Sequence, residues 1–291
     1  MQPLAQMSAT HVGTAVALVL ALVSTTLTSL AYLREANAVG ALPALSLRTP
    51  LRSLQLLLVS RVWLTGFAME SGGFALYVTA LAMAPLALVQ SVAAGGIGIL
   101  AFASARLAHR RLTRREGLGA GVSVVGLLFL SLSLIGGGDR GGHGSIVEIG
   151  LWLGGTCAAG AIVFTVGRTL LGAAAADGIA GGLLFSVGDI SIKVATQGGA
   201  RAGFALAAIF GYLLGTSLLQ IGYQRGAALT IAGLATLLTN ALPIAAGNLL
   251  LHETLPTGRA KVLRILAFAT VIVGAILLAR PQPRAARGRV N

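Results

Sequence analysis

One cysteine, four histidines and eight acidic residues are all that 291 residues offer of the side chains that most often carry chemistry. Cys157, alone, can close no intrachain disulfide and belongs to no metal-binding spacing. The chain has no GxxxxGK[ST] phosphate loop, no HExxH, no GxSxG elbow and no histidines paired within an apolar run, so neither an enzyme nor a cofactor is expected. The nearest catalytic-looking fragment is His252-Glu253. It follows an apolar run, as His109-Arg110 does earlier in the chain, and both read as turns.

Charge is scarce as well: 10% of residues are charged, 56% are hydrophobic, and the mean hydropathy is +0.87. That excludes an ordinary soluble domain, and the expected fold class is an all-α membrane protein. Apolar stretches of about 20 residues recur at 12–32, 62–82, 86–106, 118–135, 148–167, 174–194, 203–223, 228–250 and 264–280, each able to cross a hydrocarbon core about 30 Å thick as a helix. A bundle of about nine transmembrane helices is expected. Period-2 alternation is absent, which excludes a barrel. No Lys or Arg precedes the first run, which is long for a signal-peptide core, so it reads as a retained span.

A net charge of +13 raises nucleic acid as a partner, and the positions of the basic residues remove it. With nine spans, 15 of the 21 basic residues share one face: Arg34, Arg48, Arg52 and Arg61 in the first loop, five arginines at 106–115, Arg168, Arg225 and the C-terminal arginines. By the positive-inside rule that face is cytoplasmic and the N-terminus lies outside. The basic tail at 281–291 then reads as a cytoplasmic anchor on anionic headgroups, and the chain as a multi-pass protein of the plasma or inner membrane.

The chain is expected to be a single transmembrane domain. A glycine-rich turn, GGGDRGG at 136–142, separates four spans from a fifth, and four more follow. The stretches 80–117 and 222–260 share a pattern: each finishes one span, turns, runs through a small-residue-rich span and emerges at a histidine. Each is followed by a span built around a glycine, "VVGLLFLSL" and "VIVGAILLA". The expected halves are 12–135 and 174–280, with 148–167 between them, and one intervening span makes them an inverted repeat.

The fragments "FALYVTALAMAPLALVQSV", "LLTNALPIAAGNLLLHETLP" and "VIVGAILLA" resemble the EamA-type half-repeats of the drug/metabolite transporter superfamily. That resemblance implies a secondary transporter working by alternating access between its halves. The sequence departs from the ten-span form at 36–60, where Pro43, Arg48, Pro50 and Arg52 leave only a short apolar stretch. A nine-span, N-outside arrangement is similar to the NIPA-like magnesium-transporter branch.

Among the eight acids, Glu35, Glu116, Asp139, Glu148 and Glu253 read as loop or span-end residues, and Asp177 as the start of the sixth span, facing its helix dipole. Glu70 and Asp189 are deep. A charge at mid-span costs about 2.5–3.5 kcal/mol, so neither should face lipid. Asp189 and Lys193 stand one turn apart and can neutralise one another, either as a structural ion pair or as the charged wall of a hydrated cavity. Glu70 has no basic residue one turn away. A neutral carboxyl is cheaper to bury than a carboxylate, which suits either a proton carrier or a hydrogen-bonded core acid. Asn240, three residues before Pro243, stands where a kink or break is expected, or serves as packing glue. Tyr77 and Gln90 complete the candidate site of Glu70, Tyr77, Gln90, Asp189, Lys193 and Asn240. No metal set is assigned; a divalent-cation permease would use Glu70. Expected partners are the lipid bilayer and a small-molecule or ion substrate, with a homodimer left open. A non-transporting assembly protein is the remaining alternative, and it requires a dry, fully packed centre.

Overall fold

The computed structural model describes residues 2–83, 89, 92–107, 109, 111–133, 144–195, 197–250 and 258–279. Gln90, the turn at 136–142, His252, Glu253 and the tail at 281–291 lie outside them. The described helices are α1 (Gln2–Gly40), α2 (Pro50–Val59), α3 (Arg61–Met83), α4 (Gly96–Leu107), α5 (Arg114–Leu132), α6 (Ile146–Leu171, with a π-helical turn at Val163–Gly167), α7 (Ala173–Ala195), α8 (Phe204–Tyr223), α9 (Ala228–Leu250) and α10 (Arg259–Ala279). No strand occurs among the described residues. Among the described residues, seven helices are long and apolar enough to cross a membrane, so the chain is a multi-pass α-helical membrane protein.

The expected spans at 62–82 and 86–106 are not among the seven. The first is helical throughout as α3, but Glu70, Ser71, Gly72 and Gly73 interrupt its apolar run. The described helix of the second, Val92–Leu107, is too short.

The long first loop is corrected. α1 runs for 39 residues, about 58 Å, and ends only at Gly40, so Arg34 and Glu35 are helical. The helix continues because Ala38 and Val39 bury against Leu45, Leu57, Trp63 and Ile221. α2 opens with Pro50 at its first turn, where the fixed φ favours a start, and spans only about 15 Å. It is too short to cross.

α5 begins with a capping box: Thr113 accepts from the Glu116 amide, and Glu116 accepts from the Thr113 amide at 2.9 Å. Replacing Thr113 with alanine is expected to lower stability by about 1 kcal/mol in a thermal or denaturant melt.

Close glycine contacts set the helix directions. A Cβ on Gly66 would meet Glu35 and one on Gly73 would meet Thr28, so α1 and α3 are antiparallel. Gly181 faces Leu218, Gly215 faces Phe185 and Gly188 faces Tyr212, which makes α7 and α8 antiparallel. Gly178 lies on Ile231 and Gly182 on Ala235, so α7 and α9 are parallel. Gly119 meets Leu278, Gly274 meets Ser123 and Gly126 meets Val271, so α5 and α10 are antiparallel. The two glycine-centred spans of the sequence therefore pack on one another. α4 joins α1 through the Ser29 hydroxyl, which donates to the Gly96 carbonyl at 3.1 Å.

Candidate functional site

Small residues let the helices approach, and their packing leaves a cavity of about 560 Å³ between α1, α3, α4, α7 and α9. α1 contributes a hydroxyl row, Ser24, Thr25, Thr28 and Ser29, that recurs at helical spacing and ends at Tyr32. Opposite, α3 contributes Glu70, Phe74 and Tyr77, one per turn. α7 brings Asp189 and Lys193, and α9 brings Thr236, Thr239 and Asn240.

Five of the six residues of the sequence-derived site, Glu70, Tyr77, Asp189, Lys193 and Asn240, therefore line a single cavity. Gln90 lies outside the described residues. Glu70 and Asp189 point into this interior space rather than into lipid.

The contacts differ from those expected. The hydroxyl of Tyr212 on α8 donates to Asp189 Oδ1 at 2.7 Å, so a neighbouring helix holds the carboxylate. Lys193 stands one turn further along, exposed at the cavity edge. Asn240 donates to the Thr236 carbonyl at 2.8 Å, and α9 stays helical through Pro243 instead of breaking. Proline at 243 leaves the Thr239 carbonyl without its helical donor, and Thr239 lines the cavity.

Sequence reasoning missed Glu35. It is fully buried in α1 behind Tyr32, not in a loop. Gln220 of α8 donates to Glu35 Oε2 at 2.6 Å, and the Glu35 and Glu70 carboxyls are in hydrogen-bonding contact. The Tyr32 hydroxyl also bonds to Glu70, which ties the pair to the cavity wall. Gly66 makes room: a Cβ there would lie 2.7 Å from the Glu35 Cγ. One signal was legible, because Tyr32, Glu35, Ala38 and Val39 share the helical spacing of a buried face.

A second acid cluster lies apart from the cavity. Asp177, fully buried in α7, accepts from Arg168 at 3.2 and 2.6 Å and from Arg225 at 2.6 Å. Its carboxylate therefore joins the ends of α6, α7 and α8 instead of serving the helix dipole alone.

These features define a multi-pass membrane protein with a cavity between its helices that acids on α3 and α7 line. Comparison with protein-family models, curated proteins and solved structures found no match.

Proposed function

We propose that this protein is a secondary transporter of the drug/metabolite transporter type, moving a small metabolite, drug-like molecule or ion by alternating access. The cavity carries this reading: it is about 560 Å³, mostly apolar with hydroxyl, amide and charged side chains set into its walls, and lined by helices from both halves of the chain. In this reading Glu70 is the proton or cation partner, Asp189 and Lys193 form the charged wall, and Tyr77, Gln90 and Asn240 orient the substrate.

Helix pairing supports an inverted repeat of four spans around α6. Exchanging α1, α3, α4 and α5 for α7, α8, α9 and α10 carries the α1–α3 contact onto α7–α8, α1–α4 onto α7–α9, and α4–α5 onto α9–α10. Equivalent helices in an inverted repeat run in opposite senses, as α5 and α10 do. The nine-span arrangement, with the N-terminus outside and the arginine-rich face cytoplasmic, follows from this repeat and the positive-inside rule.

A divalent-cation permease is the second reading, favoured by one observation: Glu35 supplies a second carboxyl beside Glu70. Magnesium usually takes one or two carboxylates and keeps several waters. An internal cavity argues against a non-transporting assembly protein, which calls for a packed centre.

A thermal-shift screen of the purified protein against metabolites, drug-like amines and divalent cations tests the proposal. At least one compound should stabilise the protein, by about 2.7 kcal/mol at a hundred times its Kd. Asn240→Leu, which fills the cavity, should lose that stabilisation. A wild type indifferent to every compound, or a variant that responds unchanged, rejects the reading; stabilisation by magnesium alone moves it to the permease.

A further inference from the structure

The transporter reading uses Glu70 but not Glu35, which lies behind the cavity wall with no exposed surface. Two carboxyls in hydrogen-bonding contact need a donor, and a carboxyl donates only when it is protonated. No lysine, arginine or histidine among the described residues pairs with either acid. Tyr32 on α1, Tyr223 on α8 and, across the cavity on α7, Asp189 and Lys193 are the titratable groups around them. Lys193 is the cation among the cavity-lining residues and stands at the cavity edge, one turn past Asp189.

Gln220 and Tyr223 bring an independent observation. They stand one turn apart on α8, 1% and 4% exposed. Gln220 gives its amide hydrogen to Glu35, while its own Oε1, the Tyr223 hydroxyl and Glu35 Oε1 have no hydrogen-bond partner among the described residues. Beside the Glu35 carboxyl, the Gln220 amide oxygen and the Tyr223 hydroxyl are thus two further buried oxygens that a small positive ion could engage.

We propose that Glu35 and Glu70 form one coupling-ion site that holds a single proton between their carboxyls, with Gln220 joining it to the second half of the molecule. Losing that proton leaves two adjacent carboxylates in a dry place, which repel unless water or cationic cargo reaches them. Glu35 and Glu70 sit on α1 and α3, within the first half, so the repulsion acts between those two helices and reaches the second half through the Gln220 hydrogen bond from α8. Coupling to transport rests on the transporter reading; the proton count does not.

Infrared spectra of the full chain in phosphatidylcholine vesicles, in light and heavy water, test this without any substrate. Wild type should show a protonated-carboxyl band at neutral pH. Glu35→Gln and Glu70→Gln should each shift or remove the same band, and Asp189→Asn should leave it in place. A band untouched by Glu35→Gln, or two bands lost one per variant, overturns the shared proton. Loss of the band on replacing choline chloride with sodium chloride at constant pH assigns the site to sodium and overturns it as well. If Glu35→Gln does not fold, Gln220→Leu decides, since it removes the amide that donates to Glu35 and must shift the band. A shared band in a protein that binds no compound rejects the transporter reading and leaves the proton site; the reverse outcome rejects the proton site alone.

Discussion

Removing Arg168 and Arg225 together is expected to destabilise the protein by about 3–5 kcal/mol, well beyond the sum of the single replacements. Asp177 has no exposed surface, and each of its oxygens accepts a guanidinium hydrogen bond at 2.6 Å. Either arginine alone keeps the carboxylate paired, so Arg168→Gln or Arg225→Gln should cost only about 1 kcal/mol. Arg168 loses slightly more, because its guanidinium also stacks 3.6 Å from the Phe164 ring centroid. With both gone, a buried anion has no partner. Adding Asp177→Asn to the double variant removes that charge and should recover at least half of the loss. Thermal melts of the five proteins close the cycle. Additive single effects, or no recovery on neutralising Asp177, would show that the cluster does not clamp α6, α7 and α8.

The same cluster shows where sequence reading succeeds and where it stops. Continuous apolar runs located the helices, because a chain in hydrocarbon must satisfy its backbone within each span. They failed at 33–40, where Arg34 and Glu35 depressed the run although α1 continues. The cost of burying charge singled out Glu70 and Asp189, and both line the cavity. Their partners were not legible. Tyr212 lies 23 residues from Asp189 and Gln220 lies 185 from Glu35, so these bonds exist only once α7, α8 and α1 have packed. Asp189 and Lys193 invited a local pairing by spacing, and spacing gave no sign of the hydroxyl that reaches the carboxylate from a neighbouring helix. Spacing along a helix establishes which side chains share a face, not what that face meets.

Glycine spacing leads to the second large effect, since Gly117 with Gly121, Gly150 with Gly154, Gly178 with Gly182 and Gly211 with Gly215 all have the GxxxG spacing but only some meet another helix. A Cβ on Gly178 would lie 2.8 Å from the Ile231 carbonyl oxygen, and one on Gly182 would lie 2.8 Å from the Ala235 Cα. Both obstacles are backbone, which cannot turn aside as a side-chain tip can. Gly178→Ala with Gly182→Ala should therefore push α7 from α9 and cost about 1–3 kcal/mol per site. Gly150 and Gly154 have nothing within 4 Å of an added Cβ. Alanine at those two positions should be neutral or stabilising by up to about 1 kcal/mol each, because it restrains the unfolded chain and suits a helix. Because α7 carries Asp189 and α9 carries Asn240, the first pair should also abolish the thermal shift of any cavity ligand, while the second preserves it. Equal melting temperatures for the two double variants would mean that the parallel α7–α9 contact does not hold the cavity walls together.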